Sequence, residues 1–139
     1  VDRATGDVLQ QVGGLGGDFD FDGGETAPFQ VQHQFQWLDD GIVLFANGNP
    51  QSPRSRAMEL SLDQDAGEAT LEWEYTSDPV LYCPAMGDVS RLYNGNTLIV
   101  WSTAGQMEEV TAEGERVWQL NTSIASGLGY TTWLETLYP

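Results

Sequence analysis

The sequence predicts an all-β chain, and three observations carry that reading. Turns built from Asn-Gly, Asp-Gly or Glu-Gly recur along it, several of them opening directly onto a β-branched or apolar run. One turn-and-strand pattern occurs twice in full, placing Trp73 and Trp118 45 residues apart. No convincing helical pattern appears anywhere. A period of about 40 to 45 residues belongs to β-propeller blades of four short strands. The expected architecture is therefore a propeller segment, with about two full blades and partial blades at either end.

Taken in order, residues 1–12 read as the end of a blade, because Thr5-Gly6-Asp7 leads into Val8 to Val12 as the later turns lead into their last strands. A long loop follows from Gly13 to Pro28. The first full blade is expected over residues 29–76. Its strands are Phe29 to Leu38, Gly41 to Phe45 after the Asp39-Asp40-Gly41 turn, Arg56 to Leu62, and Ala69 to Tyr75. Between the second and third runs a loop rich in Asn, Gly, Pro and Ser. Thr76 to Met86, with Pro79 and Pro84, is an irregular connector.

The second full blade is expected over residues 87–120, with strands at Asp88 to Leu92, Thr97 to Trp101, Gln106 to Thr111 and Glu115 to Leu120. Its centre is Leu98-Ile99-Val100-Trp101, an apolar run without alternation, as in a strand covered on both faces. Ala57-Met58-Glu59-Leu60 answers Gln106-Met107-Glu108-Glu109, and Gly67 to Tyr75 answers Gly114 to Leu120 with two extra residues. Residues 130–138 alternate enough for one more strand, of the kind that closes a propeller by completing a blade begun at the other end of the chain. Two blades do not close a ring of about four to eight. The segment is thus expected to pack against further blades, of the same protein or of other copies.

Composition narrows the function. The chain has 21 acidic residues against five arginines and no lysine, for a net charge of −16. Such a surface repels nucleic acid, and no basic patch with interleaved aromatics offsets it. It suits salty water, where repulsion is screened over roughly 3 to 8 Å, and so an extracellular or periplasmic, saline setting. No apolar run reaches membrane-spanning length. The lone Cys83 has no intrachain disulfide partner and, among Val80, Leu81 and Tyr82, reads as a core thiol.

Few residues can carry chemistry. His33, the only histidine, sits in a strand between Val31 and Phe35. It is either a structural imidazole or a site residue, and with one Cys there is no zinc set. Arg54 and Arg56 are two of the five cations. They either pair with the acidic surface or form an anion site, since the guanidinium fork fits sulfate or phosphate oxygens. Asp18, Asp20, Asp22 and Glu25 could offer oxygens to calcium, but the spacing is not that of the twelve-residue calcium loop, and a solvated loop is the competing reading.

Several blocks together carry a family resemblance. Val1 to Gly6, Gly13-Gly14, Gln32-His33, Asp40-Gly41 with Leu44 to Gly48, Ser55-Arg56-Ala57, Leu92 to Ile99 and the terminal Leu137-Tyr138-Pro139 resemble the bacterial-type arylsulfotransferases. The likeness covers Val1 to about Leu120 and is most specific in the Gln-His, Asn-Gly and Ser-Arg blocks. It implies a six-bladed propeller that moves sulfate from an aryl sulfate to a phenol through a sulfohistidine, without a nucleotide donor. It assigns His33 and Arg56 to the site, in contact with substrate, and implies no cofactor. The family's histidines are spread over several blades, whereas none follows His33 here. A non-catalytic extracellular propeller, acting as scaffold or binding module, therefore stands beside the enzyme.

Overall fold

The computed structural model describes residues 1–21, 27–123 and 127–132. Within them the chain is all-β, in two sheets, with one 3-10 turn at Ser102–Ala104 and no α-helix. In the first sheet β1 spans Asp20–Phe21, β2 Gln32–Leu38, β3 Gly41–Ala46, β4 Arg56–Asp63 and β5 Glu68–Tyr75. β2 to β5 form an antiparallel meander in chain order, and β1 adds to β5 in parallel. In the second sheet β6 (Asp88–Arg91), β7 (Thr97–Trp101), β8 (Gln106–Val110) and β9 (Arg116–Asn121) repeat the meander.

The two runs without alternation behave as their composition requires. Every residue of β3 and of β7 is buried. Alternate side chains of β3 point opposite ways. Ile42, Leu44 and Ala46 join Phe19, Phe21, Phe29, Met58 and Leu60 in one cluster. Val43 and Phe45 join Ala57, Val89, Ile99, Trp101 and Val110 in another, which fills the space between the sheets. Phe45 meets Trp101 edge-on there, with ring centroids 5.5 Å apart. Each such fully buried side chain contributes about 1.5 to 3 kcal/mol. β6 lies against β2 and β3, so the first strands of the two meanders are neighbours.

The likeness between the two meanders extends to register. Glu59 pairs with Trp73 and Glu109 pairs with Trp118, and each ladder shifts at that glutamate. Glu59 therefore corresponds to Glu109, one residue away from the match that aligning the two Met-Glu pairs gives. The bulge sets backbone register, and a residue-by-residue comparison does not see it. Trp73 looks into the junction between the sheets, where the Arg91 guanidinium lies 5.5 Å from its ring centroid. Arg91 also pairs with Glu59. Trp118 occupies the same register position on the side facing away from the first sheet and is 45% exposed.

The N-terminal segment differs from a strand. Residues 1–12 carry a turn capped by Asp2, whose carboxylate accepts from the backbone N–H of Ala4 (2.7 Å) and Thr5 (3.1 Å); these two bonds hold its carboxyl below the usual range. The segment then runs beside the outer face of the first sheet, where Val12 packs on the core, without joining a ladder. A groove of about 670 Å³ remains there, lined among others by Leu9, Phe35, Trp37 and Leu44. Residues 130–132, the start of the expected last strand, are not in a strand, and the rest of it lies outside the described residues.

Candidate functional site

Four segments converge at one end of the first sheet: the start of β2, the 47–55 loop, the start of β4 and the connector leading to β6. β2 carries a register irregularity between Gln32 and Phe35, and His33 sits within it. A bulge re-aims the side chain that it releases from the ladder. His33 turns towards the second sheet, where its Nδ1 lies 2.9 Å from the carbonyl oxygen of Gly87, next to the start of β6. A carbonyl only accepts, so Nδ1 carries the hydrogen of this contact, and whenever the ring is neutral Nε2 carries the lone pair. Nε2 makes no hydrogen bond among the described residues. Tyr130 stacks on the exposed imidazole, with centroids 5.6 Å apart and planes 28° apart.

The connector beneath this contact is tied down by buried polar groups. Asn47 Nδ2 donates to Cys83 O at 2.7 Å and to Met86 O at 2.6 Å. Ser55 Oγ donates to Asn47 O and accepts from Cys83 N–H, both at 2.8 Å. Cys83 is fully buried and free. Asp88 is also buried, and its Oδ2 accepts from the Thr131 N–H at 2.9 Å. Segment 127–132, which carries Tyr130, is thereby fastened beside His33.

Arg56 lies elsewhere. In the ladders Gln32 pairs with Ala46 and Ala46 with Arg56, so the arginine shares the face of Ala46, the one that looks away from the second sheet. Its Nη1 donates to Glu74 Oε2 at 2.8 Å and its Nη2 to the Pro28 carbonyl. Arg54 Nη2 stands 3.8 Å from Glu74 Oε1. The two arginines line a pocket of about 120 Å³ with Pro28, Gln30, Gly48 and Ser52, and His33 does not line it. The resemblance assigns both residues to one site in contact with substrate; here they share an end of the sheet but occupy opposite faces.

Among the described residues no group of three or more His, Cys, Asp or Glu side chains gathers as a metal site. Of the acidic loop, Asp18 accepts from the Gln11 N–H at 2.6 Å and Asp20 belongs to β1; residues 22–26 lie outside the description. No helix among the described residues is long and apolar enough to cross a membrane.

Residue typing pointed to His33 and Arg56 but missed Gly87 and Tyr130. Their roles depend on contacts across the two sheets, which leave no local pattern. Asn47 and Ser55 stood in the blocks singled out above, and their burial gives those blocks a physical reason.

Two successive antiparallel meanders, with an oriented imidazole at their junction, make an all-β chain with a candidate reaction centre. The sequence model of the Arylsulfotransferase (ASST) family matches residues 1–123, and the chain belongs to that family. No curated protein matches the chain.

Proposed function

We propose that this chain is part of a β-propeller arylsulfotransferase, in which His33 Nε2 takes the sulfuryl group from an aryl sulfate and passes it to a phenol. The single observation that carries the proposal is the Nδ1–H···O=C bond to Gly87, which leaves Nε2 with its lone pair on an exposed ring. The Nε2 pair forms a bond to sulfur while the aryl S–O bond breaks and the phenolate leaves with the bonding electrons. An acceptor phenolate then attacks sulfur, and the N–S bond returns its pair to Nε2. The proton lost by the acceptor balances the one taken up by the released phenolate. While the ring carries the sulfuryl group it is cationic, and the Gly87 carbonyl dipole on Nδ1–H favours that charge.

Arg56, with Arg54, is proposed to form a separate anion site on the opposite face of the sheet, through charge-assisted hydrogen bonds to sulfate or phosphate oxygens. Further blades, from the same protein or other copies, would cover the two outer faces. Phe35 and Trp37, 52% and 59% exposed, and Trp118 are the groups that such cover would bury. The net charge of −16 without lysine supports an extracellular or periplasmic, saline setting.

A second reading, a non-catalytic extracellular propeller that binds ligands or serves as a scaffold, is favoured by the Glu74 carboxylate. It already neutralises Arg56, on the face that His33 does not share. The experiment follows release of a phenol from an aryl sulfate by the intact protein, with and without an acceptor phenol. Transfer abolished by His33→Ala supports the enzyme. Unaltered transfer in that variant overturns the role of His33, and binding without turnover by the unmodified protein favours the second reading.

A further inference from the structure

The backbone that offers its carbonyl to His33 is held in an unfavourable shape. Met86 and Gly87 have consecutive positive φ angles, +61° and +107°. For methionine that region is costly, by about 1 to 3 kcal/mol, and such a conformation persists only where its surroundings over-determine it. Three side chains do so. Asn47 Nδ2 bonds the Met86 carbonyl at 2.6 Å, Ser102 Oγ accepts the Gly87 N–H at 2.9 Å, and the Phe45 ring lies so close that a Cβ at Gly87 would stand 2.3 Å from it. All three are buried. The carbonyl oxygen of Gly87, so held, lies 2.9 Å from His33 Nδ1.

We propose that Asn47, Ser102 and Phe45 are positioning residues, which clamp Met86–Gly87 so that the Gly87 carbonyl fixes His33 in the Nδ1–H tautomer and keeps Nε2 as the reacting nitrogen. The inference rests on the transfer chemistry proposed above, and it adds residues outside the Gln-His and Ser-Arg pair. Ser102 belongs to the second sheet's 3-10 turn, whereas Asn47 and Phe45 belong to the first meander and its loop. The tautomer of one imidazole is thereby tied to the packing of the two sheets. None of the three needs to touch substrate. Their effect runs through one carbonyl.

The test reads the ring itself. In the intact protein labelled with 15N-histidine, the His33 signals are assigned by their loss in His33→Ala, and the tautomer of the neutral ring is read from the two nitrogen shifts. Nδ1–H is expected in the unmodified protein. Ser102→Ala removes the acceptor for the Gly87 N–H, and Asn47→Asp keeps the size of the side chain while removing its donors. Each is expected to shift the population towards Nε2–H. Forcing a catalytic histidine into its wrong tautomer can cost about 10⁴ in kcat; here the carbonyl is loosened rather than lost, so kcat should fall about tenfold with KM unchanged. Ser102→Thr, which keeps the hydroxyl, should restore both readings.

Nε2–H as the main tautomer of the unmodified protein overturns the clamp, as does an unchanged tautomer in both folded variants. If neither variant folds, the tautomer of the unmodified protein still decides. Full transfer by His33→Ala overturns the reading of His33 as the reacting group, and with it the claim that these residues position a reacting nitrogen.

Discussion

Arg56 and His33 stand at the same end of one sheet and on opposite faces of it. The Gln32–Ala46–Arg56 ladder fixes the face of the arginine, and the irregularity in β2 turns the imidazole to the other side, towards Gly87. Binding and chemistry should therefore separate on mutation. Arg56→Ala is expected to weaken sulfate binding to the intact protein by about 1.5 to 3 kcal/mol, the worth of a charge-assisted hydrogen bond. In transfer assays kcat and KM should both stay within about twofold, because the arginine stands on the face that His33 does not share. Calorimetric titration with sulfate checks the first part, and an unchanged affinity would count against an anion role for Arg56.

Gly87→Ala is expected to destabilise the protein by at least about 2 kcal/mol. The new methyl would meet Phe45 at 2.3 Å, and φ of +107° strains any side chain at that position. Denaturant midpoints of the two proteins measure it. A loss under about 0.5 kcal/mol, the range of ordinary surface changes, would mean that the Phe45 contact relaxes freely.

Glu108 is fully buried and accepts from Trp101 Nε1 at 2.9 Å and from Gln106 Nε2 and Arg116 Nη1 at 2.8 Å. Arg116 also reaches the Asp78 carbonyl at 3.3 Å, so this carboxylate helps to join the connector to the second sheet. Arg116→Ala leaves the buried carboxylate without its countercharge and should lower the unfolding midpoint. Equilibrium unfolding of the variant decides, and a neutral result would mean that the Trp101 and Gln106 bonds suffice.

Tyr75 gives a pH dependence whose sign is fixed by the direction of its shift. Burial, and after it the charge of Glu108, push the phenol up to about 12 from an ordinary value of 10.0. The folded state thus favours the protonated phenol. Its stabilising contribution is complete below pH 10 and is lost as pH rises through about 12. Discounted for solvent screening, the effect is about 1 to 2 kcal/mol. Between pH 9 and 11.5 the unmodified protein should lose more stability than Tyr75→Phe. Parallel losses would contradict it.

The fold was legible where composition alone decides it. The unbroken apolar run of β7 announced a strand covered on both faces, because that signal is local, and Trp73 and Trp118 take matching register positions in the two meanders. Register was not legible, since the bulges at Glu59 and Glu109 depend on backbone geometry. Residues 1–12 resemble a blade's last turn and strand, yet they lie along the sheet without pairing. A strand needs a free neighbouring edge as well as a suitable sequence. At the site, His33 was visible as the only histidine, but Gly87, 54 residues away, was not. Its role comes from packing on Phe45 and from a hydrogen bond across the sheet junction.

The most direct measurement is chemical trapping of the reaction at His33. The intact protein is mixed with an aryl sulfate in the absence of acceptor, quenched within one turnover under alkaline conditions that preserve a phosphoramidate-like N–S bond, and digested. Mass spectrometry of the peptide carrying Gln32-His33-Gln34 should show a sulfuryl adduct on His33, which disappears when a phenol is added before the quench. Phenol release in step with turnover while that peptide stays unmodified, and while an adduct accumulates on another residue, would contradict the assignment of His33 as the group that carries the sulfuryl.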